Sequence, residues 1–148
     1  MDKKLVYDTI QGEIDSRIGE IQKALQNQKE SLSSVSESTA GDKHNTSRAM
    51  MHIEVEKLSK QLSQLLQLKK LLLKVNPSKE TKAVTLGSLV ETNNGYLFIA
   101  VPLGKITIAQ KSLMAISLAS PIGQALQGKI AGDSFSFNNQ DWKIKNVV

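Results

Sequence analysis

Cysteine is absent from this chain of 148 residues, and aromatic residues make up only 4% of it. Without cysteine there is no disulfide, no thiolate metal site and no thiol nucleophile. Trp142 is the single tryptophan, so we do not expect a thick aromatic core. The lack of thiols fits a reducing compartment, and the expected location is the cytoplasm.

Long apolar runs are absent as well. Met1–Ile10 contains four charged residues and lacks the unbroken apolar segment of a signal peptide. The most apolar stretch, Leu65–Val75, is interrupted by Lys69 and Lys70 and is shorter than the ~20 residues of a membrane span. The sequence therefore predicts neither secretion nor a contact with the membrane.

A concentrated positive charge is also missing. The net charge is +5, with 12 basic and 10 acidic residues through Asn76 and 7 and 4 after it. Proteins that bind nucleic acid usually gather lysine and arginine on one face, with aromatic rings that stack on bases. We therefore expect binding of DNA or RNA by this chain to be weak or indirect.

Motifs of catalytic and metal sites are not found. The sequence contains no GxSxG, no GxxxxGK[ST] and no HExxH. His52 and Glu56 share a helix face and His44 lies near Asp42, but a specific divalent site usually needs three or more converging ligands. We predict that the chain is not an enzyme and has no metal site of its own.

Two segments carry apolar residues at heptad spacing. The first series is Ile14, Ile18, Ile21, Leu25, Leu32 and Val35, and the second is Met51, Val55, Leu58, Leu62, Leu65 and Leu72. Two narrow stripes that flank a turn-rich segment predict an antiparallel helical hairpin over residues 1–76. The leucines of 65–73 exceed what a two-helix seam covers, and we expect them to be core.

The segment between the stripes predicts a turn. Serine and threonine dominate Ser33–Ser47, and Gly41 tolerates the positive φ with which helices often end. The tip of the hairpin is therefore placed at about 36–48. Thirty helical residues would hold it about 45 Å from the other end of the hairpin.

The periodicity changes after Asn76-Pro77, which predicts a second domain over residues 77–148. Strand-like runs at Val84–Val90 and Tyr96–Val101 flank the turn Asn93-Asn94-Gly95. Ser120-Pro121 predicts a capped short helix that Gly128 closes. Further strand-like runs occur at 106–108, 113–118, 135–137 and 142–147. The predicted class is α+β, a helical hairpin followed by a small antiparallel sheet with one short helix.

Two segments of the second domain carry distinctive sequences. Ser120–Asp133 reads SPIGQALQGKIAGD, and Leu86–Val90 reads LGSLV. The first resembles the C-terminal signature of the bacterial Gre transcript-cleavage factors, and the second resembles one of their strands. The resemblance implies a coiled-coil hairpin, an FKBP-like second domain and RNA polymerase as partner. It implies that the second domain docks at the mouth of the polymerase secondary channel, through a surface at Ser120, Pro121, Ile122 and Gly123.

In that family the hairpin tip reaches the polymerase active centre, where two tip acids help to hold Mg²⁺ and a water for RNA hydrolysis. Here Asp42 matches the first acid, while Asn45 stands in place of the second and Arg48 in place of a later glutamate. Asp42 is thus the one catalytic candidate, acting in trans on Mg²⁺ shared with the polymerase, and Glu37 is left open as a replacement acid. The tip residues expected to contact the partner are Gly41, Lys43, His44, Asn45 and Arg48.

The resemblance implies a polymerase-binding regulator, and a hairpin that pairs within one chain predicts a monomer. The single retained acid counts against stimulation of transcript cleavage, because an amide carries no charge to offset a magnesium ion. Two alternatives stay open: a coiled-coil adaptor without a polymerase role, and a peptidyl-prolyl isomerase, which the FKBP-like fold suggests.

Overall fold

The computed structural model describes residues 1–36 and 42–148, with side chains described outside 35–45. The chain divides into two compact units, which are described separately below. The helical unit comprises Glu13–Lys69, and the β unit comprises Met1–Gly12 together with Lys70–Val148. This grouping places the first residues of the chain with the sheet, whereas the domain boundary at residue 76 stays a prediction.

Two long helices form the first half of the chain, α1 over Lys3–Ser36 and α2 over Asp42–Leu72. Within the helical unit they run antiparallel, because Lys69 Nζ, late in α2, lies 2.7 Å from Asp15 Oδ1, early in α1. The predicted helical hairpin is confirmed. In the described ranges, neither of these helices nor any other has the length and apolar character to cross a membrane.

The seam of the helical unit follows the predicted heptads. Ile14, Ile18, Leu25 and Leu58 are buried. Other members of the two stripes are only half-buried, among them Ile21, Val55, Leu62 and Leu65. Burial of each leucine or isoleucine contributes roughly 1.5–3 kcal/mol, which exceeds the contribution of an exposed ion pair. The seam, more than the Asp15–Lys69 pair, therefore holds the hairpin together.

The expectation that the leucines of 65–73 are core is wrong for two of them. Leu72 is 1% exposed in the β unit, but Leu66 is 47% exposed and Leu73 is 60% exposed. Leu66 directly follows the stripe member Leu65 and lies off the stripe, and Leu73 follows Leu72, the last residue of α2. A single apolar stripe buries only its own members.

The predicted tip is too long. Helix α1 continues to Ser36, and α2 already begins at Asp42, so Asp42–Arg48 is helical and not a turn. Serine costs an established helix only about 0.5 kcal/mol relative to alanine, so the serines do not stop α1 early. An aspartate at the start of α2 suits the partial positive charge of a helix N-terminus. Glu37 and Gly41 lie outside the described residues.

A six-stranded sheet forms the β unit, in the order β3-β4-β2-β1-β6-β5. The strands are β1 Leu89–Thr92, β2 Gly95–Ile99, β3 Gly104–Ile108, β4 Lys111–Ile116, β5 Ser134–Phe137 and β6 Gln140–Val147. The α+β class is confirmed. The sheet is mixed and not wholly antiparallel, because β4 returns beside β2 after the β3 hairpin and runs parallel to it.

One face of the sheet carries a buried cluster beneath the short helix α3, Pro121–Leu126. Its buried members are Val84, Val90, Leu97, Ile99, Leu126, Ile144 and Val147. Phe135 and Trp142 pack against it with their rings stacked, 5.9 Å between centroids. Helix α3 is thus fixed to the sheet through Leu126, which has no exposed surface.

The predicted strand Val84–Val90 is formed only from Leu89 onward. Gly87 has a φ of +90°, which interrupts an extended strand before that point. Val84 instead bonds to the segment after α3, since its N–H donates to Lys129 O at 2.8 Å and its carbonyl accepts from Gly128 N at 2.9 Å. The residues before β1 therefore hold the end of α3.

Two-residue turns join three pairs of strands. Asn93-Asn94 joins β1 to β2, and Gly95 supplies the positive φ there, at +109°. Between β5 and β6, Asn138 and Asn139 both have positive φ, which asparagine tolerates better than most residues. The turn predicted at Asn93-Asn94-Gly95 is confirmed, and the strand-like runs at 135–137 and 142–147 pair as a second hairpin.

Candidate functional site

The hairpin tip is the first candidate site. The backbone places Asp42, Asn45 and Arg48 three residues apart in the first turns of α2. Lys43 and His44 lie in the same turns, and Arg48 is exposed. The structure thus brings five of the predicted tip residues onto one helix start.

The first described side chains of α2 combine the exposed cation of Arg48 with exposed apolar groups. His52 is exposed one turn after Arg48. Met50 and Ile53 are 66% and 65% exposed, the largest fractions among the large apolar side chains described. Sequence reasoning missed Met50 and Ile53, although their positions beside the seam residue Met51 and off the second heptad stripe are a usable signal.

This arrangement suits contact with an anionic or mixed surface. A guanidinium group donates hydrogen bonds to phosphate and carboxylate oxygens. Mg²⁺ prefers carboxylate oxygens as ligands, and the tip sequence from Asp42 to Arg48 contains one carboxylate group, that of Asp42. Among the described residues, no three histidine or acidic side chains come close enough together to hold a metal ion.

The start of α3 is the second candidate site, and its geometry is well defined. Ser120 caps the helix, since its Oγ accepts from Gly123 N at 3.1 Å and donates to Ser117 O at 2.7 Å. Pro121 occupies the first turn, where no N–H is needed. The predicted cap and proline are confirmed, and Gly128 follows the helix with a φ of +81°.

The four residues predicted as a docking surface differ in exposure. Pro121 is exposed, Ser120 and Ile122 are half-buried, and Gly123 is buried. A Cβ on Gly123 would lie 2.3 Å from Ser117 O and 2.7 Å from Leu118 O. Ile122 packs against the buried cluster of the sheet. Three of the four residues therefore have a packing or capping role, and Pro121 offers the accessible side chain.

Lys3 is a buried amine that sequence reasoning missed. It is 8% exposed, and its Nζ donates to Lys79 O at 2.6 Å. Burial lowers the pKa of Lys3, while the carboxylate of Glu80 opposes this shift in part. The signal lies in spacing, because Lys3 precedes the buried Val6 and Ile10 by three and seven residues on one helix face.

Asparagine side chains join the β1–β2 turn to β6. Asn93 Nδ2 donates to Asp141 O at 3.1 Å, and Asn93 Oδ1 accepts from Lys143 N at 2.7 Å. Asn94 Nδ2 donates to the same Asp141 oxygen at 3.2 Å. The turn that was predicted for its backbone preference thus also binds a neighbouring strand.

Comparison with known proteins gave no family model and no curated protein that matches the chain. Among solved structures, the chain is similar to the transcription factor Gfh1, with 18% identity over 93% of this chain and 92% of that one. The TM-score of this pair is 0.37. Such a weak likeness to a transcription factor carries neither the fold nor the function, which rest on the residues and geometry above.

Proposed function

We propose that this chain is an accessory factor of RNA polymerase that inserts its helical hairpin into the secondary channel and regulates the active centre without promoting RNA cleavage. The observation that carries the proposal is the segment Ser120–Asp133, which resembles the C-terminal signature of the Gre factors. A helical hairpin precedes this segment, as it does in that family.

The geometry of the segment supports the proposal. Ser120 caps α3, Gly123 permits the close approach of α3 to Ser117 O, and Asp133 Oδ2 accepts from Ile130 N at 2.9 Å. Capping, close packing and a side-chain hydrogen bond thus explain why serine, glycine and aspartate occupy these three positions. The segment is therefore a folded unit on the sheet, and Pro121 is exposed at its edge.

The chemistry of the tip determines the kind of regulation. A second catalytic magnesium in polymerase would need anionic oxygen ligands to offset its charge and to activate water. Asn45 offers a neutral oxygen, and the exposed cation of Arg48 repels a metal ion. We infer that the tip contacts phosphate oxygens or channel carboxylates and occupies the channel.

The test mixes the chain with RNA polymerase that is stalled in a backtracked complex. We expect the chain to stay with polymerase on gel filtration and to release no short RNA beyond the amount that polymerase releases alone. Failure to bind polymerase would refute the proposal. A coiled-coil adaptor would show no binding and would run as a dimer, and an isomerase would accelerate proline isomerisation without polymerase.

Restoring the acids tests the role of the tip. The double variant Asn45→Glu with Arg48→Glu places two carboxylates beside Asp42, and we expect it to raise RNA release while binding is retained. The matched control is Lys60→Glu, which changes an exposed cation of α2 away from the tip. Equal RNA release by the double variant and the control would show that the tip does not reach the active centre.

A further inference from the structure

Asn94 is the one asparagine of the sequence that is followed by glycine. The backbone nitrogen of the next residue can attack an asparagine side chain at Cγ, and glycine leaves that approach unhindered because it has no Cβ. Asn76 precedes a proline, which has no N–H, and the other asparagines precede residues with side chains. Sequence chemistry alone therefore ranks Asn94 first for loss of its amide.

Contacts in the β1–β2 turn restrain this reaction. Asn94 N donates to Thr92 Oγ1 at 3.1 Å, and that hydroxyl donates to Gly95 O at 2.7 Å, so it spans the turn. Asn94 Nδ2 is held by Asp141 O at 3.2 Å. Ring closure requires the side chain to leave Asp141 and the backbone between Asn94 and Gly95 to rotate. Thr92 is 4% exposed, so water competes little for its hydroxyl.

We propose that Asn94 is a site of spontaneous deamidation whose rate is restrained by the hydroxyl of Thr92. Gly95 N loses its proton to solvent base and bonds to Asn94 Cγ. The Cγ–Nδ2 bond breaks, and Nδ2 leaves as ammonia after it takes a proton from water. A water molecule then opens the five-membered succinimide at either carbonyl, which gives aspartate or isoaspartate. One water is consumed and one ammonia is released, with no change of oxidation state.

Deamidation of Asn94 alters the hydrogen bonding between the β1–β2 turn and β6. A carboxylate at residue 94 has no N–H to donate to Asp141 O, and the two oxygens repel each other. Isoaspartate also adds one backbone carbon to a two-residue turn, which disturbs the pairing of Thr92 with Gly95. Deamidation therefore weakens the contact of the β1–β2 hairpin with β6, while Asn93 keeps its own bonds.

The first measurement is peptide mapping of the full chain during storage in mildly alkaline buffer. We expect aspartate and isoaspartate at residue 94 to form at least about ten times faster than at Asn139 or Asn146, a difference of one decade in rate. Equal rates at these three residues would overturn the proposal. Storage in urea, which removes the restraint, should accelerate the reaction at Asn94, and equal rates in folded and unfolded chain would also overturn it.

Variants of Thr92 test the restraint. Thr92→Val removes the hydroxyl and both of its hydrogen bonds with little change of shape. Loss of a single hydrogen bond corresponds to about fivefold faster deamidation, so we expect an increase of at least that size. Thr92→Ser keeps the hydroxyl and should keep the wild-type rate. The matched control is Thr107→Val on the exposed part of β3. If Thr92→Val and Thr107→Val deamidate equally, the assigned role of Thr92 is wrong.

Discussion

At the residue scale, steric contact explains why position 123 is glycine. The space where a Cβ would lie is occupied by the carbonyl oxygens of Ser117 and Leu118, and backbone oxygens cannot rotate away. Gly123 is part of the segment that resembles the Gre signature. Its close packing against Ser117 and Leu118, which follow β4, explains why this position requires glycine.

Replacement of Gly123 tests this contact. Gly123→Ala is expected to lower the free energy of unfolding by about 1–3 kcal/mol through overpacking. The matched control is Gly12→Ala in α1, where the added Cβ would meet no atom within 4 Å other than its chain neighbours and its own helix backbone. This change should stabilise the chain by roughly 0.5–1 kcal/mol. Urea unfolding measures both, and effects of the same sign would contradict the packing assigned to Gly123.

The buried amine of Lys3 makes stability depend on pH. Its pKa in the folded chain is lowered by burial from the usual 10.5. At a pH between the lowered pKa of the folded chain and 10.5, Lys3 binds more protons in the unfolded chain than in the folded chain. The free energy of unfolding therefore rises with pH in the range below 10.5.

Urea unfolding of Lys3→Met at a series of pH values tests this sign. We expect the difference in unfolding free energy, wild type minus Lys3→Met, to increase as pH rises toward 10.5. Lys4→Met removes an exposed ammonium from the same helix turn and serves as the control. A difference that falls over this range would contradict the effect of burial on Lys3.

Local residue preferences allowed some of these positions to be predicted from sequence. Ser120, Pro121 and Gly128 have cap, first-turn and positive-φ preferences that do not depend on distant residues. Spacing places Lys3 on the buried face of α1, but its hydrogen-bond acceptor, Lys79 O, is 76 residues away in the chain. No local pattern encodes such a pairing, and the same holds for the bonds of Asn93 to β6.

At the scale of elements, heptad spacing predicted the hairpin but not its full extent. Predicting the seam required only the helical periodicity of the apolar residues, which is visible in the sequence. The helix ends were misplaced because serine disfavours a helix only weakly, so α1 continues to Ser36 and α2 begins at Asp42. The parallel pairing of β2 with β4 was missed because it is set by where β3 lies in the sheet, which is a tertiary choice.

Leucine substitutions separate the seam from the exposed side of α2. Leu25→Ala removes a buried side chain of the hairpin and is expected to cost about 2–4 kcal/mol. Leu66→Ala removes an exposed one and should change stability by less than about 0.5 kcal/mol. Thermal unfolding followed by circular dichroism measures both, and a larger loss for Leu66→Ala would contradict the assigned seam.

At the scale of the whole molecule, the proposed role needs two parts with different tasks. The β unit carries the segment Ser120–Asp133, and the helical unit carries Arg48 on its tip. The Gre resemblance assigns the docking task to the first and the active-centre task to the second. The tip sequence departs from that family where charge matters most, and this departure is why we propose regulation without cleavage.

Cross-linking from the tip shows whether the hairpin reaches the polymerase active centre. A photoreactive residue at Ser47, which is exposed, is compared with one at Lys105 on β3 in a complex with stalled RNA polymerase. We expect position 47 to cross-link to the polymerase active centre or to the RNA 3′ end, whereas position 105 reaches neither. Absence of any cross-link from position 47 to the active centre or the RNA, in a complex that does form, would contradict the proposed role of the tip.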